Sequence, residues 1–175
     1  MFIDESGFLM APLVRRSWAP RGRTPTLTQR TRSHQKVSAI AALVVSPQYR
    51  CVRLFFRLHS QTAITAILIR DFLRQLKRHI SGRCIILWDR LNTHRAGLVL
   101  DFLGSSPRLS VEYFPPYAPE LNPVEYVWGY LKTSPLANYP IAELETLANI
   151  TRRHSRALQT RPKLLKSFLR HSSLF

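Results

Sequence analysis

Acidic residues are scarce in this 175-residue chain: ten Asp and Glu stand against 26 Lys and Arg, giving a formal net charge of +16 and an isoelectric point near 11.2. Such a field draws polyanions over long range, and nucleic acid is the commonest of these in a cytoplasm. The plainer alternative is a solvated surface that only keeps the chain soluble. Cysteine is rarer still. Cys51 and Cys84 lack the spacing of a metal site and read as buried, reduced thiols of a cytoplasmic protein. No apolar run reaches the roughly eighteen residues that a membrane span needs. Asp4 and Glu5 stand where a secretory leader would have to be apolar. Repeats, low-complexity tracts and an interdomain linker are also missing, and a hydrophobic content of 45% suits one domain with a real core.

The missing acids are unevenly missing. None occurs from Ser6 to Arg70, and Arg15, Arg16, Arg21, Arg23, Arg30, Arg32 and Lys36 crowd the first half of that stretch. A second acid-free block closes the chain, with Arg152, Arg153, Arg156, Arg161, Lys163, Lys166 and Arg170. The few acids that stand among apolar residues therefore call for a reason.

Hydrophobic periodicity orders the chain. Met1–Glu5 reads as a short strand with Phe2 and Asp4 on one face and Ile3 and Glu5 on the other, broken by Ser6-Gly7. Ala11–Thr28 is a basic, proline-containing loop in which Arg16–Ala19 is a candidate short strand. Lys36–Ser46 is a buried strand, and Tyr49–His59 alternates as its hairpin partner. Over Gln61–Ile80 the apolar residues change to three- and four-residue steps, an amphipathic helix stopped by Ser81-Gly82. Arg83–Asp89 is a continuous apolar run, the pattern of a central parallel strand covered on both faces. A helix over His94–Phe102, a strand over Leu109–Phe114, and a helix from Pro123 to about Lys132 come next. Two further helices cover roughly Ile141–Leu158 and the residues after Pro162. A hairpin group followed by alternating units predicts an α/β fold, a mixed five-stranded sheet with helices on both faces. Right-handed crossovers place the Arg83–Asp89 strand parallel to the first.

Asp4 and Asp89 then meet at the carboxyl ends of neighbouring parallel strands, where ligands bind in open α/β sheets. Glu125 begins the helix after Asn122-Pro123. Each acid also has a plainer reading. Glu125, three residues after Asn122, fits a capping box, and Asp89 fits a turn or a helix cap. Asp4 lies near a terminus beside Glu5. Converging carboxylates repel unless a cation neutralises them, and hard oxygen ligands suit Mg²⁺ or Mn²⁺. Two such ions can activate a water or a 3′-hydroxyl and stabilise the leaving oxygen of a phosphoryl transfer. His94 reads as a structural histidine, and Trp88 and Trp128 as core.

The motifs carrying these acids resemble those of mariner-type transposases, in particular their bacterial insertion-sequence branch. P-P-Y-A-P-E-L-N-P-V-E-Y-V-W-G-Y-L-K at Pro115–Lys132 is similar to the third-carboxylate motif, F-I-D-E-S-G at Phe2–Gly7 to the first, and I-I-L-W-D-R-L-N-T-H-R-A at Ile85–Ala96 to the second. The 35 residues between Asp89 and Glu125 match the family's interval. The resemblance covers nearly the whole chain. It implies a ribonuclease H-like fold and an Asp-Asp-Glu site of Asp4, Asp89 and Glu125 holding Mg²⁺ or Mn²⁺, as two ions. It also implies cut-and-paste transposition, in which water nicks double-stranded DNA at the element's ends and the freed 3′-hydroxyl attacks target DNA. Asn122 and Pro123 would shape the turn that presents the last acid, with His94 nearby. Arg15, Arg16, Arg21, Arg23, Arg30, Arg32, Lys36, Arg90 and Lys132 are the expected DNA contacts. Paired-end cleavage implies a homodimer during reaction.

Two departures stand out. The family's N-terminal helix-turn-helix region does not precede the first motif, so residues 1–175 read as a catalytic domain alone that works with a separate helix-turn-helix chain. Arg90-Leu91 follows Asp89 where many members have Asn and a small residue. The competing expectations are an inactive remnant that binds DNA or a full-length transposase, and a host nuclease or resolvase on the same fold.

Overall fold

In the computed structural model, which describes residues 1–11, 13–24, 26, 35–139, 141–172 and 174, the chain builds five strands and five α-helices among the described residues. They are β1 (Phe2–Leu9), β2 (Lys36–Val45), β3 (Val52–Ser60), α1 (Ala66–His79), β4 (Cys84–Trp88), α2 (Gly97–Gly104), β5 (Leu109–Tyr113), α3 (Pro123–Thr133), α4 (Leu144–Gln159) and α5 (Pro162–His171). The sheet order is β3-β2-β1-β4-β5. β1, β2 and β3 are antiparallel neighbours, whereas β4 runs parallel to β1 and β5 parallel to β4.

Alternation along the central strands divides the core in two. Phe2, Phe8, Val37, Ala39, Ala41 and Leu43 face α3, α4 and α5, while Ile3, Ile40, Ala42 and Val44 face α1 and the helix α2 side. Each fully buried Phe, Val, Leu or Ile among them stabilises the fold by roughly 1.5–3 kcal/mol. Thr65 caps α1 by accepting from the Leu68 amide, and Lys77, Arg78 and His79 complement the negative end of the helix.

Four expectations need correction. β1 does not stop at Ser6-Gly7: the ladder with β2 continues through Gly7↔Ser38 to Leu9↔Lys36, because cross-strand bonds outweigh the weak strand preference of Ser and Gly. Arg16–Ala19 is irregular and pairs with no strand among the described residues. β4 is fully covered along one face only, Leu87 on the other being partly buried against the α3–α5 core. Ile86 and Trp88 are buried, but Ile85 is 53% exposed, since α3–α5 lie over β1–β3. Its neighbours Ser110 and Glu112 on β5 already carry that polar face. Finally, Cys51 is exposed and Cys84 only partly covered, although both are free.

Candidate active site

The register of β1 and β4 sets two of the acids side by side. Phe2 lies level with Leu87, so two residues further along each chain Asp4 and Asp89 come level. Glu125 arrives from the first turn of α3. That turn is fixed by Asn122, which is buried. Its Oδ1 accepts from the Val124 amide at 3.2 Å, and its Nδ2 donates to the Ile3 carbonyl at 3.1 Å. One side chain therefore caps α3 and moors it to β1, next to Asp4. Pro123 at the first helical position has no amide to leave unsatisfied.

Glu125 does not form a capping box. The Asn122 amide donates to the Pro119 carbonyl at 2.9 Å, and Glu125 lines a cleft of about 520 Å³ together with Asp4, Asp89 and Arg90. Asp4 is buried, Asp89 half-buried and Glu125 exposed.

Protein donors hold one oxygen of each aspartate. Asp4 Oδ2 accepts from Trp128 Nε1 at 2.8 Å. Asp89 Oδ1 accepts from His94 Nδ1 at 2.8 Å and from the Leu91 amide at 3.0 Å. His94 is fully buried and stacks on Trp88, with ring centroids 4.2 Å apart and planes within 3°. Its Nε2 reaches both oxygens of Glu5, at 3.0 and 3.2 Å. Glu5, His94 and Asp89 thus form a chain that links β1 to the end of β4 behind the cleft.

The electrostatics follow. Burial, then the charges of Glu125 and Glu5, push the Asp4 carboxyl up to about 8, against the Trp128 hydrogen bond. Glu125, although exposed as a residue, is also raised, by partial desolvation of its carboxyl in the cleft and by Asp89, with Lys132 opposing. Asp89 goes the other way: burial works against its ionised form, but hydrogen bonds from His94 and Leu91 and the charge of His94 lower it. Burial disfavours the charged His94 ring, yet hydrogen bonds and charge from Asp89 and Glu5 raise it to about 10. At neutral pH His94 is therefore an imidazolium donating from both nitrogens. Asp89 stays ionised, while Asp4 resists ionisation next to another acid.

Among the basic residues, Arg90 is exposed in the cleft. Lys132 is half-buried, with Nζ donating to Ser6 Oγ at 2.8 Å and lying 5.8 Å from the Phe8 ring centroid. Lys36 is exposed at the start of β2, near Glu5 and Leu91. Arg15 and Arg16 line a separate open depression beside the end of α3, where Asn138 grips the Arg15 backbone through two hydrogen bonds of 2.8 Å. Arg21 and Arg23 are exposed in the same loop. Arg30 and Arg32 lie outside the described residues.

Sequence reasoning missed two members of this site. Trp128, read as core, is three residues after Glu125 and so on the same side of α3, which was the available signal for a donor to Asp4. Glu5 was placed correctly on the face opposite Asp4, but no local pattern announces its pairing with a residue 89 positions away.

A mixed sheet of this order, with carboxylates gathered from within β1, the end of β4 and the start of α3, defines a ribonuclease H-like domain with an acidic cleft. The chain belongs to the DDE superfamily endonucleases, whose sequence profile matches residues 1–148. The sequence has no significant match among curated proteins. Among solved structures, the chain is similar in fold to the Mos1 transposase paired-end complex with left transposon end, with a TM-score of 0.63 at 19% identity, covering 99% of this chain and 55% of that one. It is also similar to the mariner Mos1 paired-end complex with Mg, with a TM-score of 0.63 at 17% identity and 99% and 56% coverage. The catalytic domain of Mos1 mariner transposase gives a TM-score of 0.54 at 16% identity, over 97% and 79% of the two chains. The chain thus spans about half the length of the transposases in the paired-end complexes.

Proposed function

We propose that this chain is the catalytic domain of a mariner-type DNA transposase, with Asp4, Asp89 and Glu125 as its metal ligands. The observation that carries the reading is the convergence of these three carboxylates on one cleft in a member of the DDE superfamily endonucleases.

The donors suit a hard divalent cation. All three are carboxylates, and Asp4 is raised to about 8 by burial and by the neighbouring Glu125 and Glu5 charges, a repulsion that a cation would relieve. Among the described residues, no three Asp, Glu, His or Cys side chains stand close enough to hold one ion between them. Mg²⁺ is commonly bound by one or two carboxylates, with waters and substrate phosphate oxygens completing the shell, and pairs from this triad would serve two ions in that way. When bound, Mg²⁺ or Mn²⁺ would lower the cost of the charge that develops during phosphoryl transfer. The chain's own residues fix the ligands: Trp128 holds Asp4, His94 and Leu91 hold Asp89, and Asn122 sets the helix start that carries Glu125. Arg90 would meet a phosphate entering the cleft, and the loop bearing Arg15, Arg16, Arg21 and Arg23 would follow the duplex beyond it.

The proposed reaction has two displacements at phosphorus. Water first attacks phosphorus at an element end and breaks the P–O3′ bond, leaving a 5′-phosphate and a free 3′-hydroxyl. That hydroxyl then attacks a target phosphodiester, joining its oxygen to the target phosphorus as the target P–O3′ bond breaks and a target 3′-hydroxyl leaves. The Mos1 complexes are paired-end assemblies, and by analogy two copies of this chain would act together on double-stranded DNA. Residues 1–175 would supply the catalysis, and recognition of terminal repeats would fall to a helix-turn-helix module outside them. No helix among the described residues is long and apolar enough to cross a membrane; the place of work in this reading is wherever the DNA lies, the bacterial cytoplasm and its nucleoid. The test is nicking of supercoiled plasmid in Mg²⁺ or Mn²⁺ by the purified chain and its Asp89→Asn form. Metal-dependent nicking that vanishes in the variant is expected. A folded chain that binds DNA but never nicks it would instead be an inactive remnant.

A further inference from the structure

We propose that Tyr117 is a stacking platform for an unpaired nucleobase at the mouth of the carboxylate cleft. This inference rests on the DNA-processing reading given above and adds to it a contact with a base.

Tyr117 is fully exposed, yet it lines the same cleft as Asp4, Asp89 and Glu125. Among the described residues no hydrogen bond or ring contact engages its side chain, so packing does not explain an aromatic group here. Trp18 is equally exposed but lies away from that cleft.

The backbone presents the ring rigidly. Tyr117 has a φ of +59°, a left-handed conformation that costs a residue with a Cβ more than it costs glycine. It sits between Pro115-Pro116 and Ala118-Pro119, and each proline restricts both its own φ and the residue before it. The segment is anchored on both sides. Phe114 donates its amide to the Trp88 carbonyl at 2.9 Å and stacks on Phe2. On the other side, the turn Pro119–Leu121 is closed by bonds from Leu121 to Ala118 and from Asn122 to Pro119. A strained, proline-braced loop therefore holds an unpartnered aromatic face in water next to a phosphodiester-cutting cleft. Every nucleobase offers a complementary face, and such stacking tolerates sequence. A base inside a duplex has both faces covered, so the partner is a base at a frayed or flipped position close to the phosphate that enters the cleft. Arg90, exposed in the same cleft, would take a neighbouring phosphate.

The test uses the full chain with a duplex bearing a short 3′ overhang that contains 2-aminopurine, in Ca²⁺ for binding and in Mg²⁺ for nicking. The wild type is expected to quench the 2-aminopurine fluorescence on binding. Tyr117→Phe and Tyr117→Trp should keep the quenching, since the ring and not the hydroxyl stacks. Tyr117→Ala should lose it and weaken binding by about tenfold. Tyr117→Gly should also lose it while melting at or above the wild-type temperature, because the backbone strain is relieved and the ring packs on nothing. Unchanged quenching in the Ala and Gly variants, equal loss in Phe and Ala, or no quenching by the wild type would each overturn the proposal. Asp89→Asn separates it from the reading it rests on. If that variant abolishes nicking but still quenches, both stand. A wild type that quenches but never nicks sinks strand cleavage and leaves the stacking contact.

Discussion

At the scale of single residues, the three acids of the cleft are in different electrostatic states, and pH should expose the difference. Asp4 is raised from 3.8 to about 8, so between those values the folded chain holds a proton that the unfolded chain has released. The metal-free protein should therefore lose stability as pH climbs from 4 to 8, at up to about 1.4 kcal/mol per pH unit. His94, raised from 6.5 to about 10, contributes stability that is complete below pH 6.5 and disappears as pH rises through 10. Thermal melts of Asp4→Asn should flatten the decline between pH 5 and 6.5, leaving the His94 part above it. Mg²⁺ should raise the melting temperature of the wild type more at pH 8 than at pH 5, and do little for Asp4→Asn. A metal-free wild type whose stability rises over pH 5–6.5 would contradict this assignment. His94→Ala leaves two carboxylates without their shared partner and should cost about 3 kcal/mol, together with a ten- to hundredfold loss of metal affinity that calorimetry can measure. The sequence singles out Asp4, Asp89 and Glu125 because acids are rare here; Asp89 follows β4 and Glu125 lies in the first turn of α3, while Asp4 proves to lie within β1 and not at its end. Glu5 was not legible, since its role appears only when β1 and the turn after β4 are brought together.

At the scale of elements, the start of α3 decides where Glu125 points. Asn122→Ala removes both the cap on Val124 and the bond to the Ile3 carbonyl, which should cost about 1–2 kcal/mol. The same change should lower nicking by more than the stability loss explains, because it frees the turn that aims Glu125. Nicking that simply tracks the folded fraction would show Asn122 to be a cap only. From sequence, Asn122-Pro123-Val124-Glu125 signalled a helix start without saying whether Glu125 turned back to cap it; the Pro119 carbonyl, which takes the Asn122 amide instead, settled that point. Strand limits were harder. Ser6-Gly7 reads locally as a stop, but eight residues of β2, Lys36 to Leu43, supply the partners that carry β1 through to Leu9. The apolar run of β4 reads as buried on both sides, and only the placement of α3–α5 shows Ile85 to be open.

At the scale of the whole molecule, the mixed sheet followed from the order of periodicities, whereas the path of the basic loop did not. Its arginines carry charge but little apolar pattern, so the sequence says what they attract without saying where they sit. Arg15 and Arg16 come to rest beside the end of α3, outside the carboxylate cleft. DNA affinity should fall steeply with salt, and Arg15→Gln with Arg16→Gln should reduce the slope of log affinity against log salt by about 2, one counterion for each lost phosphate contact. An unchanged slope would place these arginines off the DNA. The most direct test of the central claim is metal-dependent nicking of supercoiled plasmid by the wild type and by Glu125→Gln. The three-carboxylate account expects nicking by the wild type only with Mg²⁺ or Mn²⁺, and a loss in the variant larger than the ten- to hundredfold typical of an outer-shell partner, with the melting temperature preserved. Undiminished nicking by Glu125→Gln would contradict it.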